Sequence, residues 1–123
     1  MFIMKEFNIK YYIRSVGWLL MNDRIKIAKE FADTIKSDEI KLIVLFGSVA
    51  RGEDTEDSDI DILIVSPNAN DLRHKISSIA ADIVIEKEEL ISPILMTEDH
   101  FNKIRNNSFL TNVFNDGVVI GWI

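Results

Sequence analysis

Two short segments of this 123-residue chain carry residue types suited to phosphate and metal chemistry: Gly47-Ser48 and, ten residues further on, Asp59-Ile60-Asp61. Side chains alternate faces along a strand, so Asp59 and Asp61 point the same way, roughly 7 Å apart. Ile60, Ile62 and Ile64 then point the other way, into a core. Two carboxylates on one face repel each other and call for a counterion. Carboxylate oxygens are hard ligands, and the hard cation that tolerates few protein ligands is Mg²⁺, completed by water and phosphate oxygens.

The upstream segment offers the complementary half. A glycine at the end of a buried strand lets the backbone turn and lets a ligand approach it closely. If Ser48 opens a helical turn, its N–H and hydroxyl become phosphate donors. Arg51 lies one turn on and adds a charged fork for phosphate, and Gly52 releases the turn. Phosphate donors beside metal ligands are the equipment of metal-assisted phosphoryl or nucleotidyl transfer, in which positioning and charge neutralisation do most of the catalysis. The plainer reading is a Gly-Ser turn, a solvated acidic loop (Glu53, Asp54, Glu56, Asp57) and aspartates that cap a strand.

Other motifs fail on inspection. Gly47 to Gly52 has the glycine spacing of a P-loop, but Glu53-Asp54 stands where Lys-Ser/Thr is required. The segment from Asp57 opens like a calcium loop, then has Ile62 in place of the turn glycine and Asn68 in place of the terminal glutamate. His74 and His100 fall in different predicted helices, which argues against zinc. Ser48 lacks the G-x-S-x-G turn of a triad nucleophile.

The elements that must position these residues follow from periodicity. Ile27, Ala28, Phe31, Ala32 and Ile35 form a helical stripe, with Asn22 or Asp23 as its N-cap. Residues 41–46 (KLIVLF) read as a strand buried on both faces, 51–58 as a polar loop or a short helix followed by a loop, and 59–65 as a second strand. Residues 69–87 have helical spacing. Residues 90–96 are a third strand, which Pro93 confines to an edge or a bulge. Thr97 starts a helix, Ser108 caps another carrying Phe109, Val113 and Phe114, and Asp116-Gly117 ends it. Residues 118–123 are a terminal strand or a packed tail. The order predicts one small α/β (α+β) domain over 22–123. Residues 1–21 are either an extension ahead of a domain that begins near Met21 or a segment packed on it.

Composition narrows the partners. Hydrophobic residues at 47% and charged residues at 28% describe an ordinary globular protein. Residues 1–41 carry 8 basic and 6 acidic side chains, whereas 42–123 carry 6 and 14, within a net charge of −6. So acidic a chain argues against direct nucleic-acid binding. There are no cysteines, hence no disulfide or thiolate ligand, and a cytoplasmic location is expected. No stretch approaches the ~18 apolar residues of a membrane span, and the run at 16–21 is too short for a signal peptide.

Taken together, GSVARGEDTEDSDIDILIV resembles the Gly-Ser-x10-Asp-x-Asp signature of the DNA polymerase β-type nucleotidyltransferases, and in particular the minimal nucleotidyltransferases (MNT). The resemblance covers Leu45 to Val65 in motif and roughly 22–120 in element order. It implies a mixed sheet with helices mainly on one face. It implies that Gly47 and Ser48 hold nucleotide phosphates, beside the fork already read for Arg51, and that Asp59 and Asp61 are catalytic and bind Mg²⁺. It implies transfer of AMP from ATP, the expected donor, to a hydroxyl of a protein or small molecule. Minimal members are often antitoxins paired with a helical HEPN-type toxin. A homodimer is also consistent with so small a domain. Active members usually carry a third carboxylate on the following strand. Here 90–96 has none, Asp82, Glu86, Glu88 and Glu89 precede it, and Glu98 and Asp99 follow it. Glu88 or Glu89 reaches the site only if that strand starts earlier. The alternative is a catalytically degenerate nucleotide- or partner-binding module, binding through an apolar surface at 118–123 with Phe109 and Phe114.

Overall fold

The computed structural model describes residues 23–122. The segment 1–21 and the alternative helix cap Asn22 lie outside the described residues. The elements are α1 (Asp23–Ile35), β1 (Leu42–Phe46), α2 (Gly47–Arg51), β2 (Ile60–Ser66), α3 (Ala69–Lys87), β3 (Ile91–Thr97), α4 (Glu98–Ile104), α5 (Ser108–Asp116) and β4 (Val118–Trp122). The strands form one mixed sheet in the order β3-β2-β1-β4. β1 runs antiparallel to both β2 and β4, while β2 and β3 are parallel. A parallel pair needs a long crossover, which α3 supplies.

Each face of the sheet has its own core. On one, the long helices α1 and α3 and the short α2 pack Ile25, Phe31, Val49 and Ile76 onto Ile43, Leu45, Ile60, Ile62 and Ile64. On the other, α4 and α5 pack Phe101, Leu110 and Val113 onto Leu42, Val44, Leu63 and Val65. The helices thus lie mainly on one face, and two short ones cover the other. Strands β1 and β2 are covered on both sides, which is why they read as continuous apolar runs rather than alternating ones.

Local chemistry sets the boundaries. The Thr97 hydroxyl accepts the His100 N–H at 3.1 Å and caps α4, as expected. The cap of α5 is Asn107 rather than Ser108: its side chain accepts the Phe109 N–H at 2.6 Å, and Ser108 is already helical. The strand around Pro93 is at the edge and is not bulged. The Ile60 N–H donates to the Leu90 carbonyl at 2.9 Å. In a parallel ladder this phase turns the backbone groups of Ser92 and Ile94 toward β2 and those of Pro93 toward the open edge, so the missing N–H costs the sheet nothing. Residues 118–121 are buried strand, not an exposed binding surface.

The core makes a direct prediction. Ile62 is fully buried in the central strand pair. Ile62→Ala is expected to lower stability by about 2–5 kcal/mol, read by urea unfolding as a lower midpoint with an unchanged slope.

Candidate active site

The register of β1 and β2 assembles the site. Phe46, the last residue of β1, pairs with Asp61, near the start of β2. The next residue, Gly47, therefore arrives against the Asp61 side chain. Its φ is +79°, and a Cβ there would overlap Oδ2 of Asp61 and lie 3.2 Å from its Cγ. Both the left-handed backbone and the close approach require glycine. The sequence motif thus becomes one contact between a strand end and a carboxylate.

From Gly47 the chain enters α2 directly. Phe46 stands at its N-cap and supplies no capping side chain to the first-turn N–H groups of Gly47 and Ser48. Val49 and Ala50 are buried, which anchors the turn, while Ser48 is half-buried and Arg51 exposed. Gly52 ends the turn at φ 72°, and the Glu53 N–H donates back to the Ser48 carbonyl at 2.9 Å. The Arg51 Nε donates to Glu53 Oε2 at 3.0 Å.

Asp61 is half-buried and Asp59 exposed. Burial pushes the Asp61 carboxyl above the usual carboxylate range, and the Asp59 charge pushes it further up. The Arg51 charge acts in the opposite sense. Among the described residues no group of three or more His, Cys, Asp or Glu side chains is placed to hold a metal ion. The donor set is therefore a pair of mutually repelling carboxylates. This fits a hard cation that keeps water and phosphate oxygens in most of its shell, as Mg²⁺ does. It does not fit zinc.

The segment leading to Asp59 is fixed by a residue that sequence reasoning missed. Arg24 bonds Asp54 Oδ2 through Nη1 and Glu89 Oε2 through Nε, each at 3.0 Å. It also donates to the carbonyls of Thr55 and Glu56. Burial works against its charge, but Asp54 and Glu89 outweigh it and hold the guanidinium firmly protonated. The turn before Asp59 then closes on itself: the Ser58 hydroxyl accepts the Thr55 N–H at 2.9 Å, and the Ser58 N–H donates to the Thr55 carbonyl at 3.0 Å.

No acidic residue on β3 joins the pair. Ser92 stands beside Asp61 in the parallel register. Glu88 is exposed at the left-handed end of α3, and Glu89 is committed to Arg24. Glu98 and Asp99 follow Thr97, which pairs with Ser66 at the far end of β2. Beside Gly47 a pocket of about 380 Å³ opens between Phe46, Gly47, Arg51 and the α5 residues Phe109, Asn112 and Asp116. Asn112 and Asp116 are one turn apart on α5, at i and i+4. The amphipathic spacing shows that they are exposed, but not that they face the site.

Comparison with known proteins gives the family and the fold. The profile of the family described as "Nucleotidyltransferase domain" matches residues 25–119. "Putative protein adenylyltransferase MJ0604" of Methanocaldococcus jannaschii is 41% identical over 103 residues, which are 81% of this chain and 99% of the relative. A second protein of that organism with the same designation, MJ0141, is 38% identical over 78% of this chain and 97% of its own length. Two crystal structures share the fold. One, described as "the toxin-antitoxin with AMP-PNP", superposes with TM-score 0.53 at 23% identity, over 83% of this chain and 75% of its own. A variant of the toxin-antitoxin MntA-HpeT gives 0.52 at 21%, over 81% and 73%. The chain belongs to the nucleotidyltransferase domain family and is a nucleotidyltransferase by class.

Two predictions follow from the Asp61 environment. The folded protein holds the Asp61 proton more tightly than the unfolded chain does. Stability is therefore lost as pH rises from the ordinary carboxylate range through the raised pKa of Asp61. Asp61→Asn is expected to melt above wild type at pH 7 without metal, with the gap closing below about pH 3.9; scanning calorimetry across pH reads this. Gly47→Ala is expected to destabilise the protein by about 1–3 kcal/mol, because it both strains the backbone and displaces the Asp61 carboxylate. Thermal unfolding of Gly47→Ala beside a Gly52→Ala control, where a Cβ meets nothing within 4 Å, separates the clash from the shared cost of positive φ.

Proposed function

We propose that the protein is a Mg²⁺-dependent adenylyltransferase, moving AMP from ATP to a hydroxyl of a protein. The observation that carries the reading is the seating of Gly47 against Asp61, which joins a phosphate-binding turn to a carboxylate pair. Asp59 and Asp61 hold the cation, which when bound neutralises the phosphates and the charge that develops in the transition state. The N–H groups of Gly47 and Ser48, the Ser48 hydroxyl and the Arg51 guanidinium hold the polyphosphate. These groups keep the α-phosphorus open to in-line attack. The acceptor oxygen bonds to that phosphorus as its bond to pyrophosphate breaks. Ser92 accepts no proton at neutral pH, so the acceptor proton passes to solvent or to a base brought with the acceptor.

The names of the Methanocaldococcus relatives support adenylyl transfer to protein, and the toxin-antitoxin assemblies that share the fold support an antitoxin role beside a HEPN-type helical partner. Ser92 beside Asp61 favours one further reading, a module that binds nucleotide or partner without turnover.

Calorimetric titration with Mg·ATP is the test. Binding by wild type that depends on Mg²⁺ and is lost in the Asp59→Asn/Asp61→Asn double variant is expected. In adenylylation assays each single variant should lose at least ~10²-fold in rate. Unchanged turnover in both would sink the proposal, and metal-dependent binding without transfer to any hydroxyl would favour the non-catalytic module.

A further inference from the structure

Beside the phosphate turn lies a pocket whose chemistry is not that of a phosphate site. Its floor is Phe46 and Gly47, and its far wall is α5, which contributes Phe109, Asn112 and Asp116. At about 380 Å³ it falls in the size range of small-molecule sites. It shares Gly47 and Arg51 with the candidate polyphosphate site, so a nucleotide held there by its phosphates has this pocket within reach.

The lining selects which part of the nucleotide enters. Asp116 presents a carboxylate, which repels a polyphosphate but accepts hydrogen bonds from neutral hydroxyls. Asn112, one turn earlier on the same face of α5, presents both a donor and an acceptor. Among the described residues no hydrogen bond or ion pair engages either side chain. The two phenylalanines meet edge to face, with centroids 5.9 Å apart and planes at 90°. Phe109 remains 36% exposed despite its apolar ring. An aromatic wall, an amide and a carboxylate without partners are the complement of a base and a ribose.

We infer that the pocket between α2 and α5 is the nucleoside subsite. The base lies against Phe109 and Phe46, Asn112 pairs with the edge of the base, and Asp116 accepts the ribose hydroxyls. This deepens the nucleotidyl-transfer reading and rests on it. Base preference is then set by α5 within this chain and needs no second domain to clamp the nucleotide.

The test compares two ligands in the presence of Mg²⁺: ATP and inorganic tripolyphosphate. Both are titrated calorimetrically into the full chain as wild type, Asp116→Ala, Asn112→Ala and Phe109→Ala. These are exposed positions on a helix surface, and circular dichroism confirms the fold of each variant. Wild type is expected to bind ATP more tightly than tripolyphosphate. Each variant should lose about 10–100-fold in ATP affinity with no loss of affinity for tripolyphosphate. Asn112→Ala should in addition narrow the preference for ATP over CTP. Variants that bind ATP as wild type does, or that lose both ligands equally, overturn the subsite. A wild type that binds neither ligand overturns the nucleotidyl-transfer reading itself, and the subsite falls with it; the tripolyphosphate arm tells the two failures apart.

Discussion

The antiparallel pairing of β1 with β2 is the constraint on which the site depends. It is fixed over five residue pairs, from Leu42 opposite Val65 to Phe46 opposite Asp61. Both strands are buried on both faces, so both sets of alternating side chains are committed. A slip of one residue would move every side chain to the wrong face, taking Leu63 and Val65 out of one core and Ile62 and Ile64 out of the other. The core therefore holds the register, and the register brings Gly47 to Asp61. The candidate site sits at the open end of a ladder whose other rungs are hydrocarbon.

Charge is arranged around this end with little surplus. Asp61 is held in a position that disfavours its own ionisation, through burial and through Asp59. The cost of ionising Asp61 there is borne by folding elsewhere. The acidic balance of residues 42–123 surrounds this end with charge of the same sign as the Asp59 and Asp61 carboxylates. The Arg51 charge and the uncapped first-turn N–H groups of α2 are the nearby features of opposite sign.

Much of this was legible in the sequence, and the rest was not for definite reasons. The first three strands and α1 and α3 came from apolar spacing, because each buries a stripe or a face, and α4 came from its Thr97 cap. The edge position of β3 came from Pro93, whose missing N–H has one inexpensive location. The Gly-Ser and Asp-x-Asp spacing showed which residues belong together. That β2 and β3 run parallel, with Ser92 beside Asp61, leaves no mark in the local pattern, since only the crossover decides it. The shift of the α5 cap from Ser108 to Asn107 turned on two adjacent residues of nearly equal capping preference. The hub formed by Arg24 was invisible, because its partners Asp54 and Glu89 lie 30 and 65 residues away and an isolated arginine near a helix start carries no signal.

That hub bears on how the family can vary. One guanidinium ties the first turn of α1 to the segment before Asp59 and to the approach to β3. The three side chains at 24, 54 and 89 form one ion-paired cluster. Loss of the cation strands two acidic groups together, and loss of either acid leaves a half-satisfied fork. Drift at any one of these positions is therefore filtered by the other two. Homologues should keep the trio intact or replace it wholesale, while the surrounding loop residues change freely.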